Sequence, residues 1–437
     1  MPSKQHGRQY DLIVFGASGY TGKYTAQHIA THLPTDLKWA VAGRSRDKLE
    51  QVIAQCNELN SDRRQPEIEI CSLNDAELAR LAKKTLILIT TVGPYGKLGE
   101  HAFKACAENG THYLDVTGEV PFVARMVRKY EDAAKSSGAM MFPQIGIESA
   151  PSDLITWALA SKIRSELSAK TRDVTVSIHT FKAAPSGGTL ATAFSILENF
   201  TISEYRDCHK PFALSPIPNP AATTTAAKPS LFTRITGLAT YPILGLQTTS
   251  LAGSTDAAIV ERTWGLLSST PPLRDQSYGP RFSFKQHMKP RNWLTGAAFH
   301  FSLMILGIVM VTPFLRRLVL RYGYQPGEGP DPEQAARDQL EYRAIAKPDL
   351  DGGAAPLAGA VGEGGKEYAY CRAWYNGSMY YLTGVLLAEA AATILDDGDD
   401  DAKRLPGGIY TAACLGQLFI DRLDRAGFHF ETKVLSA

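Results

Sequence analysis

The sequence lacks the features that would mark a nucleic-acid binder, a metal protein or a disulfide scaffold. Its 46 Lys and Arg nearly cancel 44 Asp and Glu, for a formal net charge of +2. The basic excess or stripe that accompanies nucleic-acid binding is therefore missing. The six cysteines (Cys56, Cys71, Cys106, Cys208, Cys371, Cys414) stand singly, with no CxxC pair and no His cluster beside them. That spacing speaks against zinc, against any other metal site and against a disulfide framework; it fits buried thiols in a reducing compartment. MPSKQHGRQY is polar and leads directly into an apolar run, with no secretory h-region, so a cytoplasmic location is expected. What is there is ordinary globular material: 437 residues, 44% apolar and 21% charged, enough for two or three domains.

Six short apolar runs punctuate the first third: 10–16, 37–43, 67–73, 85–93, 112–118 and 140–146. Several are apolar almost throughout, as in parallel strands covered on both faces. Amphipathic segments lie between and after them (Gly22–Leu33, Asp47–Leu59, Asn74–Lys83, Gly99–Asn109, Val120–Ser137). The alternation predicts an α/β, doubly wound parallel sheet over residues 1–150.

The first strand ends in VFGASGYTG, where Gly16, Gly19 and Gly22 punctuate the entry to a helix. Gly16 permits a sharp turn, Gly19 lets the backbone approach a pyrophosphate, and Gly22 allows close helix–strand packing. The phosphates are then expected at the helix N-terminus, with Ala17, Ser18, Tyr20 and Thr21 around them. An NAD site would carry Asp or Glu at the end of the second strand. This chain has Ala42-Gly43-Arg44-Ser45, with Lys48 following. A carboxylate would repel a 2′-phosphate and a guanidinium would pair with it, so NADPH is the expected cofactor. The turn after the fourth strand, Thr91-Val92-Gly93-Pro94-Tyr95, is expected under the nicotinamide ribose, and the Tyr95 phenol becomes a candidate proton donor.

VFGASGYTG, AGRS, TTVGPYGKLGEHAFKAC, GTHYLDVTGE and GIESAPSDL together resemble the saccharopine dehydrogenase-like oxidoreductases. SGGT at 186–189, TGVLLAEAA at 383–391 and GGIYTAACLGQLFIDRL at 407–423 add to the pattern, which is similar to the trans-acting enoyl reductases of that group. The resemblance implies a Rossmann-like NADP-binding domain over 1–150 and an α/β (α+β) substrate and dimerisation domain over 151–380. It also implies C-terminal helices over 381–437 that return to the first domain, and a homodimer. Where the family usually has GFDS-PSD, this chain has Gly146-Ile147-Glu148-Ser149-Ala150-Pro151-Ser152-Asp153. Glu148 has three roles open to it: orienting the carboxamide, relaying a proton, or capping a helix over Ser152–Lys162. Ser152 and Asp153 are expected as helix caps. Asp115 and Glu119 are expected to make loop and cap hydrogen bonds after the fifth strand.

Further along, 173–181 alternates as a strand does, and Gly187 and Gly188 are expected to turn toward the cleft, with Ser186 and Thr189 as polar groups. Residues 202–250 read as a long variable loop and 323–366 as a flexible linker. From Ala297 to Leu315, within 294–320, the chain is nearly all apolar, and nineteen residues of helix make roughly 28 Å. A helix lying on a membrane or lipid-droplet surface, or lining a greasy channel, is favoured over a span, and His300 reads as a packed histidine. Residues 366–377 read as a strand, Tyr380–Ile394 and Ile409–Arg425 as helices, and Asp396–Asp401 as a solvated loop.

The expected activity is NADPH-dependent enoyl reduction of a conjugated C=C in a lipophilic or polyketide-type acyl substrate, free or carrier-bound, with a polyketide synthase as a partner. An imine or carbonyl reductase is the rival reading. A lipid-surface scaffold that binds NADPH without turnover is the third.

Overall fold

The computed structural model describes residues 6–183, 196–219, 221, 229–312, 314, 315, 318, 331–350, 367–396, 398 and 401–436. The SGGT segment and its glycines lie outside these residues. Among the described residues the strands form two seven-stranded sheets.

The first sheet takes its strands from the predicted runs: β1 (Tyr10–Phe15), β2 (Trp39–Gly43), β3 (Glu67–Ile70), β4 (Thr85–Thr90), β5 (His112–Asp115) and β6 (Met140–Phe142). The helices between them are α1 (Tyr20–His32), α2 (Arg46–Leu59), α3 (Asp75–Lys84), the single turn α4 (Tyr95–Leu98), α5 (Glu100–Asn109) and α6 (Val120–Ser137). Every pairing is parallel, in the order β3-β2-β1-β4-β5-β6. Such a sheet must be apolar on both faces. Accordingly Leu12, Val14 and Val41 bury into one core while Ile13, Phe15 and Ala42 bury into the other. The strand order reverses between β1 and β4, and ligands of such sheets bind outside the carboxyl ends at that switch point.

Helix α7 (Ala150–Leu167) leads to the second, mixed sheet. Its strands are β7 (Lys170–Lys182), β8 (Ala239–Tyr241), β9 (Gly245–Thr249), β10 (Ser283–Met288), β11 (Gln339–Asp349), β12 (Glu367–Asn376) and β14 (His429–Ser436). Helix α7 is buried along most of its length and joins Val174, Val176, Leu340 and Ala344 to the core beneath the first sheet.

Several expectations need correction here. The 202–250 region is no continuous loop: it contains α8 (Ile202–Cys208), α9 (Leu231–Thr236) and the β8–β9 hairpin. The 323–366 linker contains β11, whose alternation of buried Leu340, Tyr342, Ala344 and Ala346 was there to be read. The 409–425 helix is broken. Gly408–Ile409 forms β13, a seventh strand beside β6, and a turn at Gly416 (φ +71°) reopens the chain into α13 (Gly416–Arg425). Asp396 is buried and paired with Arg422, so the acidic run is not wholly solvated.

Two long helices complete the frame: α10 (Gly253–Ser269) and α12 (Met379–Leu395). The latter lies directly on α1. A Cβ at Gly384 would stand 2.7 Å from the Thr25 nitrogen, so only glycine allows this approach. His28 of α1 and Glu389 of α12 meet at 2.8 Å in the interior. The remaining helix, α11 (Trp293–Val311), stands largely outside the globule.

Candidate active site

The carboxyl ends of β1, β2, β4, β5 and β6 converge on one edge, where the sequence analysis placed the cofactor. Gly16 leaves β1 at φ +87°, and a Cβ there would lie 2.8 Å from Val92 Cγ2. A Cβ at Gly22 would lie 2.3 Å from the Gly16 carbonyl oxygen and 2.8 Å from Thr91 Oγ1. The turn is thus closed against the end of β4, where Thr91 Oγ1 donates to the Gly16 carbonyl at 3.1 Å. No side chain caps α1 at Gly19, so the first N–H groups of this helix stay open to an anion. Tyr20 turns its ring onto Tyr24 and Tyr380, tying the turn to α12. At the end of β2, Arg44 and Lys48 are exposed and Ser45 half-exposed. A bare helix N-terminus with cations one strand away fits a dinucleotide carrying an extra phosphate.

The proton-handling groups are less as expected. Tyr95 is buried, and its hydroxyl donates to the Thr90 carbonyl at 3.0 Å while facing the Val116 N–H at 3.4 Å. Its backbone N–H donates to Glu119 Oε1 at 2.6 Å, and the Gly96 N–H to Oε2 at 2.9 Å. Burial pushes the phenol far above its usual range. Tyr95 therefore braces the turn from inside and presents neither its hydroxyl nor its N–H to a ligand. That corrects its reading as a donor. Glu119, lifted to about 7 by burial against the pull of the two N–H groups, is a loop clamp. Asp115 is another. It accepts from Tyr113 Oη (2.7 Å) and from the N–H groups of Thr117 (2.9 Å) and Gln144 (2.8 Å). Burial brings its carboxyl to about 6.

The turn between β6 and α7 is different. Asp115 holds Gln144 in the left-handed region, φ +66°, where a non-glycine residue costs on the order of 1–2 kcal/mol. The Gln144 side-chain amide nitrogen and the Ser149 hydroxyl are buried without partners among the described residues. Glu148 is reached by solvent yet walled in by protein; it makes no hydrogen bond among the described residues, and the surrounding protein raises its pKa. Its Oε2 would lie 2.9 Å from a Cβ at Gly118, so the carboxyl reaches over the β5–α6 turn. Glu148 caps nothing: α7 starts at Ala150, and Ser149, at its N-cap, makes no capping bond.

Ser152 and Asp153, expected as caps, instead tie α7 to α10, to β10 and to the segment before α13. Ser152 Oγ donates to Asp256 Oδ2 on α10 at 2.5 Å, and Gln286 of β10 bonds both. Asp153 accepts from Thr263 Oγ1 at 2.5 Å and from the Ala413 N–H at 2.9 Å. Asp256 was not singled out in the sequence. The signal was an Asp, Glu and Arg inside the otherwise uncharged run 253–269. Burial, with Glu148 and Asp153 as like-charged neighbours, drives its carboxyl well above the usual range, and its Oδ1 has no partner among the described residues.

Residues 12–142 match the family described as Saccharopine dehydrogenase NADP binding domain. Over its full length the chain is similar to proteins named trans-acting enoyl reductase. One is from Mycobacterium tuberculosis (28% identity, 98% of this chain and 99% of the relative) and one from Mycobacterium ulcerans (27%, 96% and 97%). Among solved structures, yeast saccharopine dehydrogenase (L-Glu forming) aligns over 98% of this chain and all of its own. It does so at 10% identity and a TM-score of 0.52, a likeness of fold. The resemblance read from the sequence is borne out: residues 12–142 are a saccharopine dehydrogenase-type NADP-binding domain. The chain is an NADP(H)-dependent oxidoreductase.

Proposed function

We propose that the protein is an enoyl reductase, delivering hydride from NADPH to the β-carbon of a conjugated, lipophilic acyl substrate, with Glu148 supplying or relaying the proton. The substrate class rests on the full-length similarity to proteins named trans-acting enoyl reductase. A carrier-bound substrate of polyketide type, acted on in trans, is part of this proposal. The observation that carries the proton assignment is the unpartnered Glu148 carboxyl, raised in pKa, beside the open end of the sheet.

Bound NADPH would supply the hydride. The chain has to do the rest. The N–H groups after Gly19 would hold the diphosphate, and Arg44, Ser45 and Lys48 would hold the 2′-phosphate. The backbone from Thr91 to Pro94 supports the nicotinamide ribose. Hydride arriving at the β-carbon leaves negative charge on the acyl oxygen, which calls for hydrogen-bond donors; the Gln144 side-chain amide and the Ser149 hydroxyl, in the same turn as Glu148, are the candidates once the turn opens to substrate. Protonation at the α-carbon then needs an acid, and its surroundings raise the pKa of Glu148 above the usual carboxylate range. The test is reduction of acyl substrates with NADPH deuterated at the transferring position, read by mass spectrometry. Label on the carbon β to a retained carbonyl is expected. Label on a former C=O or C=N carbon would make the protein a carbonyl or imine reductase. Tight cofactor binding without turnover would make it a scaffold.

A further inference from the structure

Outside the active site the largest unexplained feature is α11 with its surroundings. Its first turns are clamped to the globule. Thr248 Oγ1 donates to the Gly296 carbonyl at 2.8 Å, and Thr249 Oγ1 meets His300 Nδ1 at 2.8 Å. Gly237 abuts the His300 ring so closely that a Cβ would lie 2.5 Å away. His300 is thus the packed residue its apolar context implied. From Phe301 onward the helix leaves the protein. Met304, Ile305, Leu306 and Ile308 are all exposed although successive positions point 100° apart, so the projecting part is apolar on every side. A helix facing water on one side carries a polar stripe. Beside it, α9 exposes Leu231, Phe232 (63%) and Ile235. A contiguous apolar projection of this kind is not a normal water-facing surface.

Charge singles out the occupant. Residues 229–255 and 277–327 contain no Asp or Glu, while Arg234, Lys285, Lys289 and Arg291 all lie within them. Topology fixes the depth. The chain enters this excursion from β10 and returns to β11, and both strands flank β7 in one sheet, so entry and exit are on the same side. The free stretch Phe301–Val311 measures about 16 Å, half of a hydrocarbon core of about 30 Å. We propose that α11 and α9 form a single-leaflet anchor that docks the enzyme on an anionic bilayer surface without crossing it.

The test is flotation of the full chain with vesicles of phosphatidylcholine containing 30% phosphatidylglycerol, alongside vesicles of phosphatidylcholine alone. Binding to the anionic vesicles is expected, at least tenfold weaker on the neutral ones. The double substitution Ile305→Glu, Ile308→Glu should cut it at least tenfold while leaving NADPH affinity unchanged, which certifies the fold. Absence of flotation, or flotation unchanged in the variant, would overturn the anchor. A wild-type dimer that the variant converts to monomer, without vesicle binding, would assign the face to a second copy of the chain instead.

Discussion

Two turns at the same edge of the first sheet are built from similar residues and end up as opposites. In the β5–α6 turn, Asp115 and Glu119 accept every bond within reach: three donors on one carboxyl and two on the other. In the β6–α7 turn, Glu148 has no hydrogen-bond partner among the described residues, and Gln144 and Ser149 each keep a buried polar atom unpaired. A buried polar group without a partner costs about 1–3 kcal/mol. A fold that keeps several of them in one turn, while saturating the neighbouring turn, has left that turn for something else to complete. Under the proposed function, the contrast separates carboxylates that hold the frame from the one proposed to handle the proton.

The sharpest way to break this picture is at the phosphate turn on which both depend. Gly22→Ala puts a methyl 2.3 Å from the Gly16 carbonyl, with backbone rather than a flexible side chain in the way. NADPH binding measured by calorimetry should fall by at least a hundredfold, or the domain should fail to fold. Next comes the comparison itself. Glu148→Gln should lower turnover about a hundredfold or more while the melting temperature stays put. In the wild type the rate should fall as pH rises through the elevated Glu148 pKa, because the acid form is the one required, and the variant should lose that dependence. Glu119→Ala should do the reverse. It strands the N–H groups of Tyr95 and Gly96, so denaturant titration should show a loss of about 2–4 kcal/mol. A smaller effect is expected from Tyr95→Phe: about 1 kcal/mol of stability for the bond to Thr90, with turnover within about twofold of wild type. A hundredfold loss of turnover there would restore the phenol as the proton donor.

Much of this was readable from the chain. The six strands and the glycine turn follow from local sterics and from apolar runs buried on both faces, and these are written residue by residue. The direction of the Tyr95 side chain was not. Tyr95 reads as a reactive group because it follows the fourth strand, but its direction is set by Glu119, 24 residues away, and by the carbonyl of Thr90 behind it. Asp256 reaches Ser152 across 104 residues, a contact that no window along the sequence contains. The middle of the chain was misread for another reason. Short strands such as β8 and β9 sit among Thr, Ala, Pro and Gly, a composition that looks like loop until an edge such as β10 offers them a partner. The apolar helix showed its length at once, but its clamp at Gly296 and His300 depends on the same hairpin.

The cofactor assignment supports everything else and can be tested without knowing the substrate. Calorimetry of the full chain with NADPH and NADH should show NADPH binding at least tenfold tighter, with Arg44→Ala removing that preference and leaving NADH affinity as it was. Equal affinity for the two nucleotides in the wild-type chain, or heat from neither, would contradict the account.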